Sequence, residues 1–228
     1  MLVSFAPKLQ FGPGTITHVV WDWNGTLLDD AWLCVEVMSA LLQRYGLPPM
    51  DLKRYSEVFR FPVRDYYVEL GFDFDAAPFE VVGTEFIEGY AAGQHRCRLR
   101  ERAPQVLSAL AGSGISQSVL SASERRRLIE QAGRLGVDSH FQAMIALDDH
   151  YAGSKLEVGR LWLEEAGLDP SRVLLVGDTD HDAEVAASLG LGCVLLESGH
   201  QSRERLLETG LPVPGCLDEL LGAFERVA

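Results

Sequence analysis

The stretch "VVWDWNGTLLDD", residues Val19 to Asp30, joins a short apolar segment to an aspartate and then to a sharp Asn-Gly-Thr turn. The apolar run predicts a buried strand that ends at Asp22. A carboxylate at the end of a buried strand is costly unless the protein uses its charge. The stretch therefore raises two questions: what Asp22 does, and why an amide, Asn24, stands where a second acid would be expected.

The composition is typical of a globular protein and excludes some function classes. The 228 residues are 47% hydrophobic and 23% charged, and the formal net charge is −13. Such an acidic chain is not expected to bind nucleic acid, because neutralising phosphates requires a basic surface. The two short basic clusters, at 96–102 and 124–128, also contain glutamate and are interpreted as solvated helix faces or interdomain salt links.

Several further properties point to an intracellular protein that does not interact with membranes. No apolar run is long enough to span a bilayer. The first residues show no pattern typical of a secretory signal, so a cytoplasmic location is expected. The sequence contains no C-x-x-C pair, so it gives no indication of a zinc site or a disulfide framework. The cysteines are therefore predicted to be buried free thiols: Cys34, Cys97, Cys193 and Cys216.

Five short apolar segments predict strands, and helical patterns lie between the last four of them. Near-continuous apolar residues are typical of strands buried on both faces of a parallel sheet. Strands that alternate with helices predict an α/β fold with a Rossmann-like, doubly wound sheet. The predicted strands are Thr17–Asp22, Ser116–Leu120, Gln142–Ala146, Val173–Val176 and Gly192–Leu196. The predicted helices between them are Glu124–Leu135, Lys155–Ala166 and Asp182–Leu189.

The connection after the first strand is far longer than a simple βαβ crossover needs, at about ninety residues. Its segments have helical patterns that are separated by glycine and proline breakers. We therefore predict a helical cap domain over residues 30–98, inserted into an α/β core formed by residues 1–29 and 99–228. The predicted helices of the cap are Asp30–Tyr45, Asp51–Phe59, Pro62–Leu70 and Ala76–Ala91.

Polar residues follow the carboxyl ends of the predicted strands, at the edge where open α/β sheets bind ligands. Because the strands are parallel, these residues are expected to meet at one edge of the sheet. In chain order they are Asp22 and Asn24, Ser121 to Ser123, Asp148 and Asp149, and Asp178, Asp180 and Asp182 of "GDTDHD".

Several carboxylates with few cations beside them predict a metal site, and hard oxygen ligands suit Mg²⁺. Asp22 could be a nucleophile, a metal ligand or both. Asp182 has two open interpretations, association with the metal or a helix cap. Gly25 and Thr26 would shape a turn whose backbone N–H groups face inward, and both are candidate phosphate-binding residues.

Lys155 would add the missing positive charge to this group of acids. The sequence "SKLE", residues 154–157, predicts a capping box that places Lys155 in the first turn of a helix. A cation there opposes the helix dipole at a cost of about 0.3–1 kcal/mol, which points to an anionic partner, although a surface lysine stays an open alternative. The hydroxyl of Ser121 and the N–H of Ala122 could hold a phosphate oxygen.

These segments resemble the four ordered motifs of the haloacid dehalogenase superfamily: "DWNGTL", Ser121 in "VLSAS", Lys155 and "VLLVGDTDHD". The predicted insertion resembles the helical cap of the phosphoglycolate phosphatase-like branch. The resemblance implies that Asp22 attacks phosphorus and forms an aspartyl-phosphate. The implied ligands of Mg²⁺ are Asp22, the backbone carbonyl of Asn24 and Asp178, with Asp182 in support, and the implied contacts of the phosphoryl oxygens are Ser121 and Lys155.

Asn24 departs from the family pattern. Phosphatases of this superfamily carry an aspartate there, which protonates the leaving alcohol and then activates water. An amide does neither well, and general acid–base assistance is worth about 10²–10⁴ in rate. Three explanations stay open: a substrate with a good leaving group, such as an acyl phosphate, aryl phosphate or anhydride; another proton donor, with Asp180, His181 or a cap residue as candidates; or a protein that binds a phosphorylated ligand and turns over little.

The cap is expected to provide specificity. In "FRFPVRDYY", residues 59–67, Arg60 and Arg64 are candidate contacts for a carboxylate or a second phosphate of the substrate, and exposed helix arginines are the alternative. The sequence therefore predicts a Mg²⁺-dependent phosphohydrolase that acts on a small phosphorylated metabolite. A catalytically weak binding or regulatory protein of the same fold is the alternative. The chain is expected to be a monomer or a homodimer.

Overall fold

Five of the seven strands form one parallel sheet in this computed structural model, which describes residues 15–147, 154–197 and 199–225. The strands of the described residues are β1 His18–Trp21, β2 Leu28–Asp29, β3 Arg98–Leu99, β4 Ser116–Glu124, β5 Met144–Leu147, β6 Val173–Gly177 and β7 Gly192–Leu195. The order in the sheet is β5-β4-β1-β6-β7, so β1 lies at the centre with β4 and β6 as its neighbours. Strands β2 and β3 form a separate antiparallel pair.

Helices cover both faces of the sheet and fill the long connection between β2 and β3. The α-helices of the described residues are α1 Ala31–Arg44, α2 Leu52–Val58, α3 Val63–Leu70, α4 Phe79–Gly93, α5 Ala103–Gly112, α6 Arg125–Leu135, α7 Lys155–Ala166, α8 Asp180–Leu189, α9 Arg203–Glu208 and α10 Leu217–Glu225. Single 3₁₀ turns occur at Gln94–Arg96, Asp138–His140 and Pro170–Arg172.

The structure confirms the predicted α/β class and its Rossmann-like parallel sheet. The strand alternation explains how the core forms, because successive side chains point to opposite faces. Val19 and Trp21 pack with α5 and α6 on one face, whereas Val20 packs with α7 and α8 on the other. All three side chains are fully buried, as expected for a central strand of a sheet that is covered on both sides.

Several predicted bounds differ from the structure by one to four residues: the helix predicted at Ala76–Ala91 is Phe79–Gly93, and the strand predicted at Gln142–Ala146 is Met144–Leu147. Two further differences lie at the candidate site. Strand β4 does not end at Leu120 but continues to Glu124, with an irregularity in its pairing with β5 between these two residues. The extended backbone therefore runs through Ser121, which the sequence analysis placed beyond the strand. Helix α8 begins at Asp180, two residues before the predicted start.

Three helices were not predicted from the sequence: α5, α9 and α10. Helix α5 did carry a signal, since Ala103, Val106, Leu107 and Leu110 are buried at helical spacing and a proline stands at its start. Helix α9 has six residues, which is too short for a periodic pattern to be recognised.

The four helices α1 to α4 lie between the strands of the β2–β3 pair, and we call them the helical insertion, residues 31–93. The boundaries of the predicted cap domain stay a prediction. A segment after β7 contacts α2 and the residue that follows it. Ser202 donates its backbone N–H to the carbonyl of Ser56 at 2.9 Å, and Gln201 and Arg205 donate to the carbonyl of Phe59 at 3.1 and 3.0 Å. These bonds hold one side of the helical insertion against the end of the sheet.

Other sequence predictions can be placed on this fold. Cys34 and Cys97 are buried as predicted, but Cys193 is only half-buried and Cys216 is exposed, because it precedes α10 at the surface. Asp148 and Asp149 lie outside the described residues. Among the described helices, none combines the length and apolar character required to cross a bilayer.

Candidate active site

The turn after β1 positions the first group of polar residues. Asp22 continues the strand and donates its backbone N–H to the carbonyl of Val176 in β6 at 2.8 Å. The chain then reverses, and Leu28 donates its N–H to the carbonyl of Trp23 at 2.8 Å. Gly25 has a φ of +78°, which favours glycine in this turn. The carboxylate of Asp22 is thereby held rigidly at the carboxyl edge of the sheet, with the residue 8% exposed.

Lys155 binds two carboxylates of this edge. Its ammonium donates to Asp22 and to Asp182, with both N···O distances at 2.5 Å, and the lysine is buried. Ser154 caps the helix, since its hydroxyl accepts the N–H of Glu157 at 3.2 Å. The capping pattern therefore predicted the position of Lys155 correctly, and the anionic partners that its placement required are present.

Asp182 takes part in a helix cap, which is one of the two interpretations that the sequence left open, although it is not the N-cap residue. Its association with a metal stays a prediction. Thr179 is the N-cap of α8, and Asp182 is the third helical residue of a full capping box. One carboxylate oxygen of Asp182 accepts the N–H and the hydroxyl of Thr179 at 3.0 and 2.7 Å. The other oxygen accepts the ammonium of Lys155, so Asp182 positions the lysine.

Asp178 is fully buried and is held from two sides. The hydroxyl of Thr26 donates to one carboxylate oxygen at 2.8 Å, and the backbone N–H of His200 donates to the other at 2.6 Å. A Cβ atom at Gly25 or at Gly199 would overlap the Asp178 carboxylate. These glycines leave the space that the carboxylate occupies.

The roles predicted for Gly25 and Thr26 in phosphate binding stay a prediction that this geometry does not favour. The N–H of Gly25 already donates to the carbonyl of Leu28 at 3.0 Å and to the carboxylate of Asp30 at 2.8 Å. The hydroxyl of Thr26 serves Asp178, and neither residue lines the cavity above Asp22. Both residues shape the site rather than face a ligand.

Ser121 lies in the cavity next to Asp22, together with Ala122 and Ser123. Its hydroxyl accepts the N–H of Ser123 at 3.0 Å and keeps its own proton to donate. Ser121 and Lys155 therefore present donors on the same side of the cavity as Asp22, which agrees with the phosphate-binding roles that the resemblance implies.

Asn24 is held at both ends of its amide. The nitrogen donates to Asp30 at 2.6 Å and to the hydroxyl of Tyr90 at 2.9 Å. The oxygen accepts the hydroxyl of Ser123 at 2.6 Å. Asp30 is fully buried and also accepts the hydroxyl of Tyr90 at 2.6 Å. A carboxylate is therefore present next to position 24, because Asp30 contacts the Asn24 amide directly.

His200 completes this group and was given no role by the sequence analysis. Its Nε2 lies 3.5 Å from the Asp30 carboxylate, and its Nδ1 is 2.8 Å from the hydroxyl of Tyr55 in the helical insertion. Burial opposes its charged form, but the hydrogen bond and negative charge of Asp30, with smaller contributions from Asp178 and Asp22, raise the pKa of His200 to about 9. Asp30 and His200 therefore form a buried ion pair, and the same contacts lower the pKa of Asp30 although its burial acts in the opposite direction.

The other predicted candidates lie further from the carboxylates. Asp180 is bound by Arg205 at 2.7 Å and by Gln201 at 2.8 Å, and it does not line the cavity. His181 lines the cavity and packs on Phe61, with ring centroids 4.7 Å apart.

Neither cap arginine lines the cavity. Arg60 forms an ion pair with Glu69, and the guanidinium of Arg64 lies 4.8 Å from the ring centre of Phe74. Their roles in substrate binding stay a prediction.

A cavity of about 410 Å³ extends from Asp22 into the helical insertion. Its floor is the carboxylate edge with Lys155 and Ser121. Its upper part, which we call the aromatic cavity, is formed largely by rings of the helical insertion and of the residues at the ends of its helices: Tyr55, Phe59, Phe61, Tyr66, Tyr67, Phe79, Phe86 and Tyr90.

Comparison with known proteins agrees with this arrangement. Residues 19–196 match the family of haloacid dehalogenase-like hydrolases. An N-acetylmuramic acid 6-phosphate phosphatase of Pseudomonas aeruginosa is 29% identical over 189 residues, which cover 80% of this chain and 82% of that protein. A 5'-nucleotidase of the same organism is 27% identical over 212 residues, which cover 92% of this chain and 94% of that protein. Phosphoglycolate phosphatases are also among the relatives.

The fold is shared with solved structures of the family. A haloacid dehalogenase-like hydrolase from Streptococcus pneumoniae superimposes with a TM-score of 0.81 at 19% identity, over 92% of this chain and 99% of that one. The match to the family covers most of the chain, and both Pseudomonas aeruginosa relatives are phosphatases. This chain therefore belongs to the haloacid dehalogenase-like hydrolase family and stands among its phosphatases.

Proposed function

We propose that this protein is a Mg²⁺-dependent phosphohydrolase that acts through an aspartyl-phosphate on a small phosphorylated metabolite with a good leaving group. The observation that carries the proposal is the contact of Asp22 with Lys155 at the floor of a cavity, beside two further buried carboxylates. A rigid carboxylate next to a cation can attack phosphorus while the cation offsets the charge of the phosphoryl oxygens.

The donor set fits Mg²⁺. Carboxylate oxygens of Asp22, Asp178 and Asp182 lie within 4.8 Å of one another, and Lys155 provides a single positive charge against the three. Burial, together with the smaller effects of the charges of Asp182 and Asp178, raises the pKa of Asp22 to about 8, although Lys155 opposes this shift. A divalent cation would remove this excess negative charge, and oxygen donors are those that Mg²⁺ prefers.

Asp22, Asp178 and the backbone carbonyl of Asn24 would hold the ion. When bound, Mg²⁺ would supply positive charge beside the transferring phosphoryl group. Asp182 supports the site by holding Lys155, and Thr26 and His200 support it by holding Asp178.

The reaction then follows in two steps. The carboxylate of Asp22 attacks phosphorus, the bond from phosphorus to the leaving-group oxygen breaks, and the leaving group departs as an anion. Water next attacks the phosphorus of the aspartyl-phosphate, which releases inorganic phosphate and restores Asp22. Lys155 and Ser121 hold the phosphoryl oxygens in both steps.

Asn24 explains why the leaving group matters. Its amide has no acidic proton to give, and both of its ends are bound, to Asp30 and Tyr90 on one side and to Ser123 on the other. A leaving group that is stable as an anion needs no proton donor, so the first step does not depend on the missing acid, whereas the second step proceeds without the base that would activate water. A binding or regulatory protein is the second candidate, and the same residue favours it, because loss of the acid slows turnover without preventing binding.

Phosphate release tests the proposal directly. With Mg²⁺, we expect turnover of acetyl phosphate and 4-nitrophenyl phosphate, and turnover of phosphoglycolate that is lower by about 10²-fold or more, because an alkyl leaving group needs the absent acid. Chelation of the metal should abolish release, and so should Asp22→Asn, which also controls for contaminating phosphatases. Equal rates for alkyl and activated esters would show that another residue donates the proton. Silence for all substrates, with binding of phosphate retained, would favour the second candidate.

The burial of Asp22 beside two other carboxylates predicts that the stability of the metal-free protein depends on pH. The pKa of Asp22 is raised in the fold, so the folded state holds a proton that the unfolded chain has lost, and stability falls as pH rises from about 4 to about 8. Without Mg²⁺ at pH 8, Asp22→Asn should raise the free energy of unfolding by roughly 1–3 kcal/mol, and Tm accordingly by a few degrees.

The gain should vanish near pH 4 and shrink in saturating Mg²⁺, which stabilises the wild type more than the variant. Asp180→Asn is the matched control, because Asp180 is the first residue of α8 at the same edge of the sheet and is paired with Arg205, so its removal should not stabilise the protein. A wild type that is as stable as Asp22→Asn in chelator at pH 8 would contradict the proposed excess charge. Differential scanning fluorimetry over a pH series measures the Tm of the wild type and of the two variants.

The contact between Asn24 and Asp30 predicts that an acid cannot be restored at position 24 alone. In Asn24→Asp, two buried carboxylates would stand about 2.6 Å apart and could not both ionise. We expect a loss of roughly 1–3 kcal/mol in stability from this single variant. The exchange Asn24→Asp with Asp30→Asn keeps one acid and one amide in contact and should recover most of the loss.

The exchange should also raise turnover of alkyl esters, up to about 10²–10⁴-fold, because the acid at position 24 is then free to donate its proton. Denaturant unfolding and phosphoglycolate turnover are the two measurements. If Asn24→Asp alone is as stable as the wild type, Asp30 does not set the identity of residue 24.

A further inference from the structure

The lining of the aromatic cavity consists mainly of aromatic rings. These rings would face the part of the substrate that is attached to the phosphate. Phe59 is central to this lining, with its ring centroid 5.2 Å from Tyr55, 5.3 Å from Tyr66 and 5.5 Å from Phe61. Phe86 and Tyr90 stack on each other in α4, with their ring centroids 6.4 Å apart. Because these rings pack on one another, the cavity keeps its shape without a ligand.

Three of the four tyrosines that line the cavity bind partners of their own through their hydroxyls. Tyr55 binds His200 at 2.8 Å, Tyr90 donates to Asp30 at 2.6 Å, and Tyr66 donates to the sulfur of Met50 at 3.7 Å. A substrate rich in hydroxyl groups, such as a sugar, would lose hydrogen bonds to water on entry and would find few donors and acceptors in return.

The charges around the cavity outside the carboxylate edge do not suit a second anionic group on the substrate either. Glu80 and Glu124 are among the residues that line the cavity. Among the lining residues that the structure describes, Arg127 is the one guanidinium, and it lies 3.7 Å from Glu124. A second phosphate or a carboxylate on the substrate would therefore face acidic residues and a cation that is already paired.

We infer that the group carried by the phosphate is an uncharged aromatic ring system, so the substrate is an aryl phosphate whose ring binds in the aromatic cavity. This inference rests on the proposed function and names its substrate class. The volume of about 410 Å³ accommodates a phosphate and a fused pair of rings. Burial of the ring against Phe59 and Phe86 supplies binding energy without any ionic contact.

The aromatic leaving group also agrees with the amide at position 24, which is an observation separate from the ring lining. When Asp22 attacks phosphorus, the bond between phosphorus and the aryl oxygen breaks, and its electron pair leaves with the phenolate. The phenolate is stable as an anion and takes its proton from water after release. No residue at position 24 has to donate a proton, so the apolar lining and the missing acid have one common explanation.

Binding of non-hydrolysable phosphonates tests the inference apart from turnover. Naphthylmethylphosphonate and phosphonoacetate both carry a phosphonate for the floor of the cavity, but one adds a ring and the other a carboxylate. With Mg²⁺ and the wild-type chain, calorimetry should find the naphthyl compound bound at least about 10-fold more tightly. Equal or tighter binding of phosphonoacetate would overturn the inference, even if phosphatase activity is present.

Turnover of substrates that differ in one property at a time separates recognition from leaving-group chemistry. Acetyl phosphate has a good leaving group without a ring, and naphthylmethyl phosphate has a ring without a good leaving group. We expect 1-naphthyl phosphate, which has both, to combine the low KM of the second with the high kcat of the first. No metal-dependent release from any of the three would reject the proposed function, and the phosphonate measurement would still decide on the ring.

Two phenylalanine variants give a matched control. Phe86→Ala removes a ring of the aromatic cavity and should raise KM for 1-naphthyl phosphate by about 10-fold, with little change for acetyl phosphate. Phe74→Ala removes a similarly half-buried ring of the same helical insertion that does not line the cavity, and it should change neither value. A rise in KM for acetyl phosphate that equals the rise for the naphthyl ester, or no rise with Phe86→Ala, would overturn the inference. Circular dichroism confirms that both variants fold.

Discussion

The buried contact of Lys155 with Asp22 and Asp182 is the interaction on which the rest of the site depends. It joins the first and the fourth motif of the chain through the helix that carries the lysine, and it lies at the carboxyl edge of the sheet. One lysine does not balance three carboxylates. Burial and the negative charges of Asp182 and Asp178 therefore raise the pKa of Asp22 despite the contact with Lys155. The fold tolerates this unbalanced charge because the central strand, the capping box of α8 and the bonds to Asp178 hold each carboxylate in place. The excess negative charge is what makes the edge suited to a divalent cation.

A second buried group surrounds Asn24 and differs from the first in that its charges are balanced. Asp30 and His200 form an ion pair, Tyr90 and Tyr55 bind its two members, and the Asn24 amide donates to Asp30. Tyr55 and Tyr90 belong to the helical insertion, whereas His200 follows the last strand of the sheet. The group therefore connects the helical insertion to the core at the cavity that Asp22 also lines. An amide at position 24 is compatible with this arrangement because it can donate to Asp30, which a second carboxylate could not do.

The cavity extends these two features toward the substrate. Its floor is ionic and its upper part is largely aromatic, and this contrast underlies the proposal of a phosphate that carries an apolar group. The two arginines of the insertion do not enter it, since Arg60 pairs with Glu69 and Arg64 stacks on Phe74. The residues that line the upper part, and the residue that stands in place of the family's acid, both bear on the same property of the substrate, the nature of its leaving group.

The sequence by itself determined the five strands of the main sheet, seven of the ten described α-helices, the four motifs, and the positions of Asp22, Lys155, Asp178 and Asp182, because these follow from local signals: apolar runs, capping patterns and carboxylates at strand ends. It could not reveal that Asp30 and His200 flank Asn24, since the hydrogen bond between Tyr55 and His200 joins residues 145 positions apart. Nor could it show that the cap arginines pair within the insertion while its aromatic residues line the cavity. Only the tertiary structure decided these points, because helical periodicity identifies a buried face but not whether that face packs on another helix or borders a cavity.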